Sequence, residues 1–189
     1  MDGFSGISRA GFVLVGGLSS RMGRDKALLP FEGSTLAGEV ASRVRLAAGN
    51  VTLIGPPHRY AALGFPVTAD LVEGCGPLGG VYTALRITQA EWNLIVACDM
   101  PAVTADFLGD LLERAEASAA ECMVPESATG LDPLCAVYHR RCLAAAEDAL
   151  RRKSFTMHDF VSSLRTATWS VPDRSALENV NTPDQWGSR

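Results

Sequence analysis

Short apolar runs alternate with helix-like segments along this chain, and no other feature limits its possible folds so tightly. Runs suited to strands are Gly11–Val15, Val51–Ile54, Val67–Ala69, Asn93–Ala97, Cys122–Val124, Leu134–Tyr138 and Thr168–Val171. Segments suited to helices are Leu36–Ala48, Leu78–Ile87, Ala105–Ala117, Arg141–Arg151 and Met157–Leu164. Capping residues stand before several of them: Ser34 or Thr35, Thr104, and Ser154. Strand–helix alternation with short links predicts an α/β fold around a mostly parallel sheet. Ligands of such sheets bind beyond the carboxyl ends of the strands, so residues that follow strands carry the most functional weight.

A length of 189 residues predicts one domain spanning 1–189, with the Gly/Ser-containing residues 1–8 as a loose leader. A net charge of −4 argues against nucleic-acid or anionic-membrane partners, which call for a broad basic face. An anionic ligand would need a local basic cluster. The five cysteines are odd in number and form no C-x-x-C pair, so free thiols and a cytoplasmic setting are expected. No apolar run approaches the roughly 18 residues of a membrane span.

The first strand runs into Gly16-Gly17, then a small-polar and basic loop ending in Asp25-Lys26. Glycines there let backbone N–H groups face an anion, and Arg21, Arg24 and Lys26 bring positive charge. Lys26 is one of only two lysines against fifteen arginines, which suits a chosen compact point charge. The loop is neither a Walker A sequence, which ends Gly-Lys-Ser/Thr, nor G-x-G-x-x-G. Taken alone it also reads as a glycine-rich surface loop with solvated basic residues.

Three further motifs follow strands. Thr68-Ala69-Asp70 precedes the glycine-rich Gly74–Gly80, which is either a ligand-facing helix start or a simple turn. Ile95–Ala97 leads through Cys98 to Asp99, a carboxylate able to ligate Mg²⁺ or to act as a turn residue. Asn179 and Asn181, two apart in Glu178–Pro183, either complete a polar site or form turns. The Arg151-Arg152-Lys153 cluster reads equally as a helix end complementing its dipole. Asp132-Pro133 and Arg140-Arg141 remain unranked candidates for acceptor contacts.

Together these motifs resemble the nucleotidyltransferases, and most closely the molybdenum cofactor guanylyltransferase family. The resemblance rests on Leu14-Val15-Gly16-Gly17, Ser20-Arg21-Met22-Gly23, Asp25-Lys26, Asp70, Gly76-Pro77-Leu78-Gly79-Gly80, Cys98-Asp99-Met100-Pro101 and Asn179-Val180-Asn181-Thr182-Pro183, in the family's order. It implies a three-layer, Rossmann-like nucleotidyltransferase fold and transfer of GMP from GTP to molybdenum-molybdopterin with Mg²⁺. It implies that Leu14, Val15, Gly16, Gly17 and Lys26 bind GTP and that Asp70 contacts the nucleotide. Asp99 would bind nucleotide and metal, with Lys26 and Arg21 stabilising departing pyrophosphate. Asn179, Asn181, Arg152 and Lys153 would serve the acceptor. Partners would include molybdenum-cofactor biosynthesis and insertion proteins and molybdoenzyme chaperones. Molybdopterin cytidylyl transfer, another phosphorylated acceptor, or a non-catalytic GTP sensor or carrier are the alternatives. The chain departs from the family at Ile54-Gly55-Pro56-Pro57, where an asparagine touching GTP is common, and at Val15, where alanine is commoner.

Overall fold

The computed structural model describes residues 9–16, 25–171 and 177. β1 (Arg9–Leu14) is followed, after Asp25, by a single 3₁₀ turn at Lys26–Leu28. A small hairpin, β2 (Pro30–Phe31) and β3 (Ser34–Thr35), leads into α1 (Leu36–Ala48). Next come β4 (Thr52–Ile54), α2 (Pro57–Tyr60), β5 (Val67–Thr68), α3 (Gly76–Ile87) and β6 (Trp92–Ala97). α4 (Ala105–Ala117), β7 (Cys122–Ser127), β8 (Gly130–Leu131) and β9 (Cys135–His139) follow. α5 (Leu143–Arg151), α6 (Met157–Ser162) and β10 (Thr166–Ser170) complete the series.

The main sheet has the order β10-β7-β9-β6-β1-β4-β5, with β8 paired to β7. β1 lies parallel to both β4 and β6, β5 parallel to β4, and β10 parallel to β7. β9 runs against its two long neighbours, β6 and β7. The mostly parallel expectation therefore holds among the described residues, with β9 reversed inside the sheet and the two-residue β8 antiparallel to β7.

Neighbouring strand residues face opposite ways, which sends them into two separate cores. Val13, Leu53, Leu94 and Val96 meet Val40, Val44, Leu108 and Leu111 of α1 and α4. Phe12, Ile54, Ile95 and Val124 meet α3, α5 and α6 through Leu78, Val81, Ala146 and Phe160. Helices cover both faces, so the central strands read as unbroken apolar runs. Each buried Val, Leu or Ile contributes roughly 1.5–3 kcal/mol.

Local signals set the helix ends. Thr35 caps α1 by accepting from the Gly38 N–H at 3.1 Å, and Gly49 closes it in the left-handed region. Thr104 caps α4 through the Phe107 N–H. α3 begins at Gly76, two residues before the predicted start, because Pro77 is tolerated in a first turn. Ser154 is not the cap of α6. Its N–H donates to the Ala149 carbonyl, finishing α5, while Thr156 accepts from the Asp159 N–H at 3.2 Å. Among the described residues no helix is long and apolar enough to cross a membrane.

Candidate active site

β1 sits mid-sheet. The chain leaves it for β4 and β5 on one side, then crosses to β6 on the other. That reversal opens a crevice beyond the carboxyl ends of β1 and β6, the usual ligand position in such sheets. Two backbone hydrogen bonds tie this edge: Val15 N–H to the Ile54 carbonyl at 2.9 Å, and Cys98 N–H to the Leu14 carbonyl at 3.1 Å.

Val15 is buried, and Gly16 follows it at φ 105°, a conformation that favours glycine. A Cβ on Gly16 would stand 3.1 Å from Pro56 Cδ. A Cβ on Gly55 would collide with the Val15 carbonyl oxygen. Gly55-Pro56, where the resemblance implies asparagine, therefore packs directly on the turn leaving β1. The departure at this position places an apolar wall against Gly16.

The chain returns to this crevice at Asp25. One Asp25 oxygen accepts from the Ala27 N–H at 3.1 Å and caps the 3₁₀ turn. The other accepts from the hydroxyl of fully buried Tyr60 at 2.8 Å, with Arg59 Nη1 3.8 Å away. Tyr60 belongs to α2 and carries no motif. It lies 35 positions from Asp25, and no spacing rule reveals the contact. Its ionisation is pushed well above the ordinary tyrosine range, by burial first and then by this hydrogen bond.

Held by this turn, Lys26 points its ammonium at Asp99, with Nζ 3.2 Å from Oδ2. The side chains are 11% and 27% exposed, so the lysine is nearly enclosed and the carboxylate keeps an open face. An enclosed ammonium needs a charged partner, and Asp99 supplies one. Cys98, next in line, is held as a neutral thiol. Burial, then the charge of Asp99, pushes it up to about 12, which argues against a nucleophilic role.

Asp70 leaves β5 on the same edge. Its carboxyl lies 3.6 Å from where a Cβ on Gly80 would stand, and that Cβ would lie 2.9 Å from Leu14 Cδ2. The glycine lets α3 approach Leu14 and Asp70 together. Partial burial raises the Asp70 carboxyl above its ordinary range. The Thr83 hydroxyl accepts from the Leu71 N–H at 3.0 Å and donates to the Gly79 carbonyl at 2.9 Å, holding the Asp70 loop to α3.

Leu14, Val15, Gly16, Lys26, Asp70 and Asp99 thus converge on one edge. Gly17, Arg21, Asn179 and Asn181 lie outside the described residues. Arg152 Nε pairs with Asp148 Oδ2 at 2.8 Å, and Arg151 pairs with the other oxygen at 3.1 Å, contacts within their own helix. Lys153 follows at φ 59° with its N–H on the Leu150 carbonyl. These contacts match the helix-end reading of the cluster.

The reversed β9 separates the two unranked acceptor candidates. Arg140-Arg141 follow its last residue, and the Arg140 N–H donates to the Glu91 carbonyl just before β6, at the opposite edge from Asp99. Asp132-Pro133 precede β9 at the carboxyl edge, where the Ala97 N–H donates to the Leu134 carbonyl at 2.7 Å. Asp132-Pro133 are therefore the pair near the site.

Residues 11–167 match the family described as MobA-like NTP transferase domain. A protein of Opitutus terrae, named "Probable molybdenum cofactor guanylyltransferase", is 36% identical over 93% of this chain and 91% of its own length. The structure of molybdopterin-guanine dinucleotide biosynthesis protein A from Archaeoglobus fulgidus shares the fold, with a TM-score of 0.81 at 22% identity, over 94% of this chain and 95% of that one. Rv0371C of Mycobacterium tuberculosis H37Rv, in complex with manganese, shares it at a TM-score of 0.66 and 20% identity, over 94% and 95%. With the family's sequence pattern over most of its length and a relative 36% identical over nearly all of it, the chain belongs to the MobA-like NTP transferase family.

Proposed function

We propose that this chain transfers GMP from GTP to the terminal phosphate of molybdenum-molybdopterin, releasing pyrophosphate and forming the guanine dinucleotide cofactor. The observation that carries the reading is the Lys26–Asp99 pair, 3.2 Å apart where the winding of the sheet reverses. The name of the Opitutus terrae relative supports guanylyl transfer over cytidylyl transfer.

An oxygen of the acceptor phosphate attacks the α-phosphorus of GTP in line. The bond from that phosphorus to the bridging oxygen breaks, and pyrophosphate leaves. A phosphate monoester is largely dianionic near neutral pH, with a second pKa of about 6, so no side chain has to take a proton. Catalysis then rests on positioning and charge neutralisation. Leu14, Val15, Gly16 and Gly17 line the nucleotide, with Asp70 beside it. Lys26 and Arg21 neutralise the departing pyrophosphate. Asn179 and Asn181 serve the acceptor side, while Arg152, paired with Asp148, and Lys153 finish α5.

Asp99 is the residue that would hold Mg²⁺. Its partly open carboxylate offers the oxygen ligand this ion prefers. Among the described residues no group of three or more His, Cys, Asp or Glu could cage a metal. One carboxylate suits an ion that takes its other ligands from phosphates and water. When bound, the ion draws negative charge from the phosphate oxygens. The manganese in the mycobacterial neighbour supports a divalent cation in general. The setting is the cytoplasm, where its free cysteines stay reduced.

The test is pyrophosphate release from GTP, molybdenum-loaded molybdopterin and Mg²⁺. Turnover should vanish in Asp99→Ala, and Lys26→Ala should need far more GTP. Normal turnover in either variant, CTP outcompeting GTP, or GTP binding without pyrophosphate release would each overturn the reading.

A further inference from the structure

Arg43, on α1, bridges the segments that follow both halves of the Lys26–Asp99 pair. Its Nη1 donates to the carbonyls of Pro101 at 2.5 Å and Val103 at 3.0 Å, two and four residues beyond Asp99. Its Nη2 donates to Glu32 Oε2 at 2.7 Å, in the hairpin that follows the Lys26 turn. Its Nε donates to Glu39 Oε1 at 3.0 Å, one turn back on α1. We infer that Arg43 is a positioning residue that sets the spacing between the Lys26 turn and the Asp99 loop. The inference rests on the roles proposed above for those two residues.

A simpler account makes Arg43 one half of an ordinary i,i+4 pair with Glu39, worth about 0.3–0.5 kcal/mol. That account leaves three of the four hydrogen bonds unexplained. The Arg43 side chain is only 17% exposed, and Pro101 and Val103, whose carbonyls it meets, are buried. The Glu32 backbone also argues for a built contact. Glu32 and Gly33 both have positive φ, 46° and 82°, as a tight two-residue hairpin turn requires. Glutamate is a costly residue at such a position, yet its carboxylate is the one that Arg43 holds. The rigid fork of a guanidinium reaches acceptors on two sides at once. An ammonium in its place is one point charge and cannot span them.

Arg43 directs its hydrogen bonds to Glu32, Glu39, Pro101 and Val103. It acts through the chain: from Glu32 back along β2 to the 3₁₀ turn, and from Pro101 back through buried Met100 to Asp99. Loosening it should leave both side chains present and their spacing poorly fixed.

The experiment compares wild type, Arg43→Lys, Arg43→Ala and Glu32→Gln. Binding of a fluorescent GTP analogue, kcat and KM for pyrophosphate release, the divalent-cation concentration at half-maximal rate, and Tm are measured for each. Arg43→Lys should keep a Tm within a few degrees of wild type. Its kcat should fall at least tenfold, and its cation requirement should rise severalfold. Glu32→Gln loosens only the hairpin arm, so it should raise the KM for GTP two- to fivefold with the cation requirement unchanged. The inference is overturned if Arg43→Lys stays within twofold of wild type in kcat and cation requirement. It is also overturned if Arg43→Ala loses activity only in proportion to its folded fraction. A wild-type protein that binds no GTP analogue would instead overturn the proposed function, and the inference with it.

Discussion

Replacing Tyr60 with phenylalanine removes one buried oxygen and keeps the ring. That oxygen donates to Asp25 Oδ2 at 2.8 Å, beside the residue that aims Lys26 at Asp99. A hydrogen bond to a charged acceptor contributes about 1.5–3 kcal/mol. Asp25 is 22% exposed and has Arg59 at 3.8 Å, so water and that cation recover part of the loss. We therefore expect a net cost of about 1–1.5 kcal/mol, at or just below the lower limit for such a bond. For a chain of this size that is a fall in Tm of about 3–5 °C. The same variant should raise the KM for GTP more than it lowers kcat, because Asp25 keeps its cap on Ala27 while losing its anchor to α2. A second readout is alkaline stability. Tyr60 ionises well above its ordinary value in the folded chain. Its contribution is complete below the unfolded value of about 10 and is lost as pH rises towards the folded one, because the unfolded chain gives up the proton first. Phenylalanine removes that loss. The fall in Tm between pH 9 and 11 should be shallower in the variant, with buried Tyr138 keeping its own share in both proteins. Equal melting temperatures at pH 7, with identical alkaline limbs, would refute the account of Tyr60 as the anchor.

Gly11→Ala should destabilise the fold without touching the site. The new Cβ would lie 2.5 Å from Val44 Cγ1 and 2.6 Å from the Asn50 carbonyl oxygen, so α1 and the turn after it would have to move away from β1. Overpacking costs about 1–3 kcal/mol, offset by about 0.5–1 kcal/mol from removing glycine; a denaturation midpoint equal to wild type would contradict this. Asp70→Asn should separate stability from binding. The raised Asp70 carboxyl is charged at a cost at neutral pH, so asparagine should be as stable or more stable there. That advantage should fade as pH falls through the raised value, while titration with GTP shows weaker binding at neutral pH; a variant less stable at pH 7 would reverse the sign.

The strands and helices were legible because helices on both faces turn the central strands into apolar runs and leave capping residues at the helix starts. Thr35 and Thr104 act as their positions suggest, whereas Ser154 closes the preceding helix because Thr156 stands nearer the next one. The direction of β9 was not legible, since an apolar run reads the same both ways. That ambiguity left Asp132-Pro133 and Arg140-Arg141 unranked, though they lie at opposite edges of the sheet. Lys26, Asp70 and Asp99 could be singled out because each follows a strand in a recognisable motif, and the fold brings them to one edge of the sheet. Tyr60 and Arg43 were not, since their contacts span 35 and 58 positions and depend on how separate elements pack.

The reversed β9 also bears on how the chain can assemble. β9 lies between β6 and β7, although β7 precedes it in the chain. β6 therefore cannot satisfy its second edge until synthesis has passed His139. Until then Trp92–Ala97, buried along almost its whole length in the finished sheet, presents unpaired N–H and C=O groups beside apolar side chains. Such an edge is a template for pairing with another chain. A polypeptide stalled or cleaved ahead of Cys135 would carry the Lys26 turn and Asp99 and still be prone to aggregate. Intactness of the region beyond β7 thus governs the solubility of a crevice that β1 and β6 form.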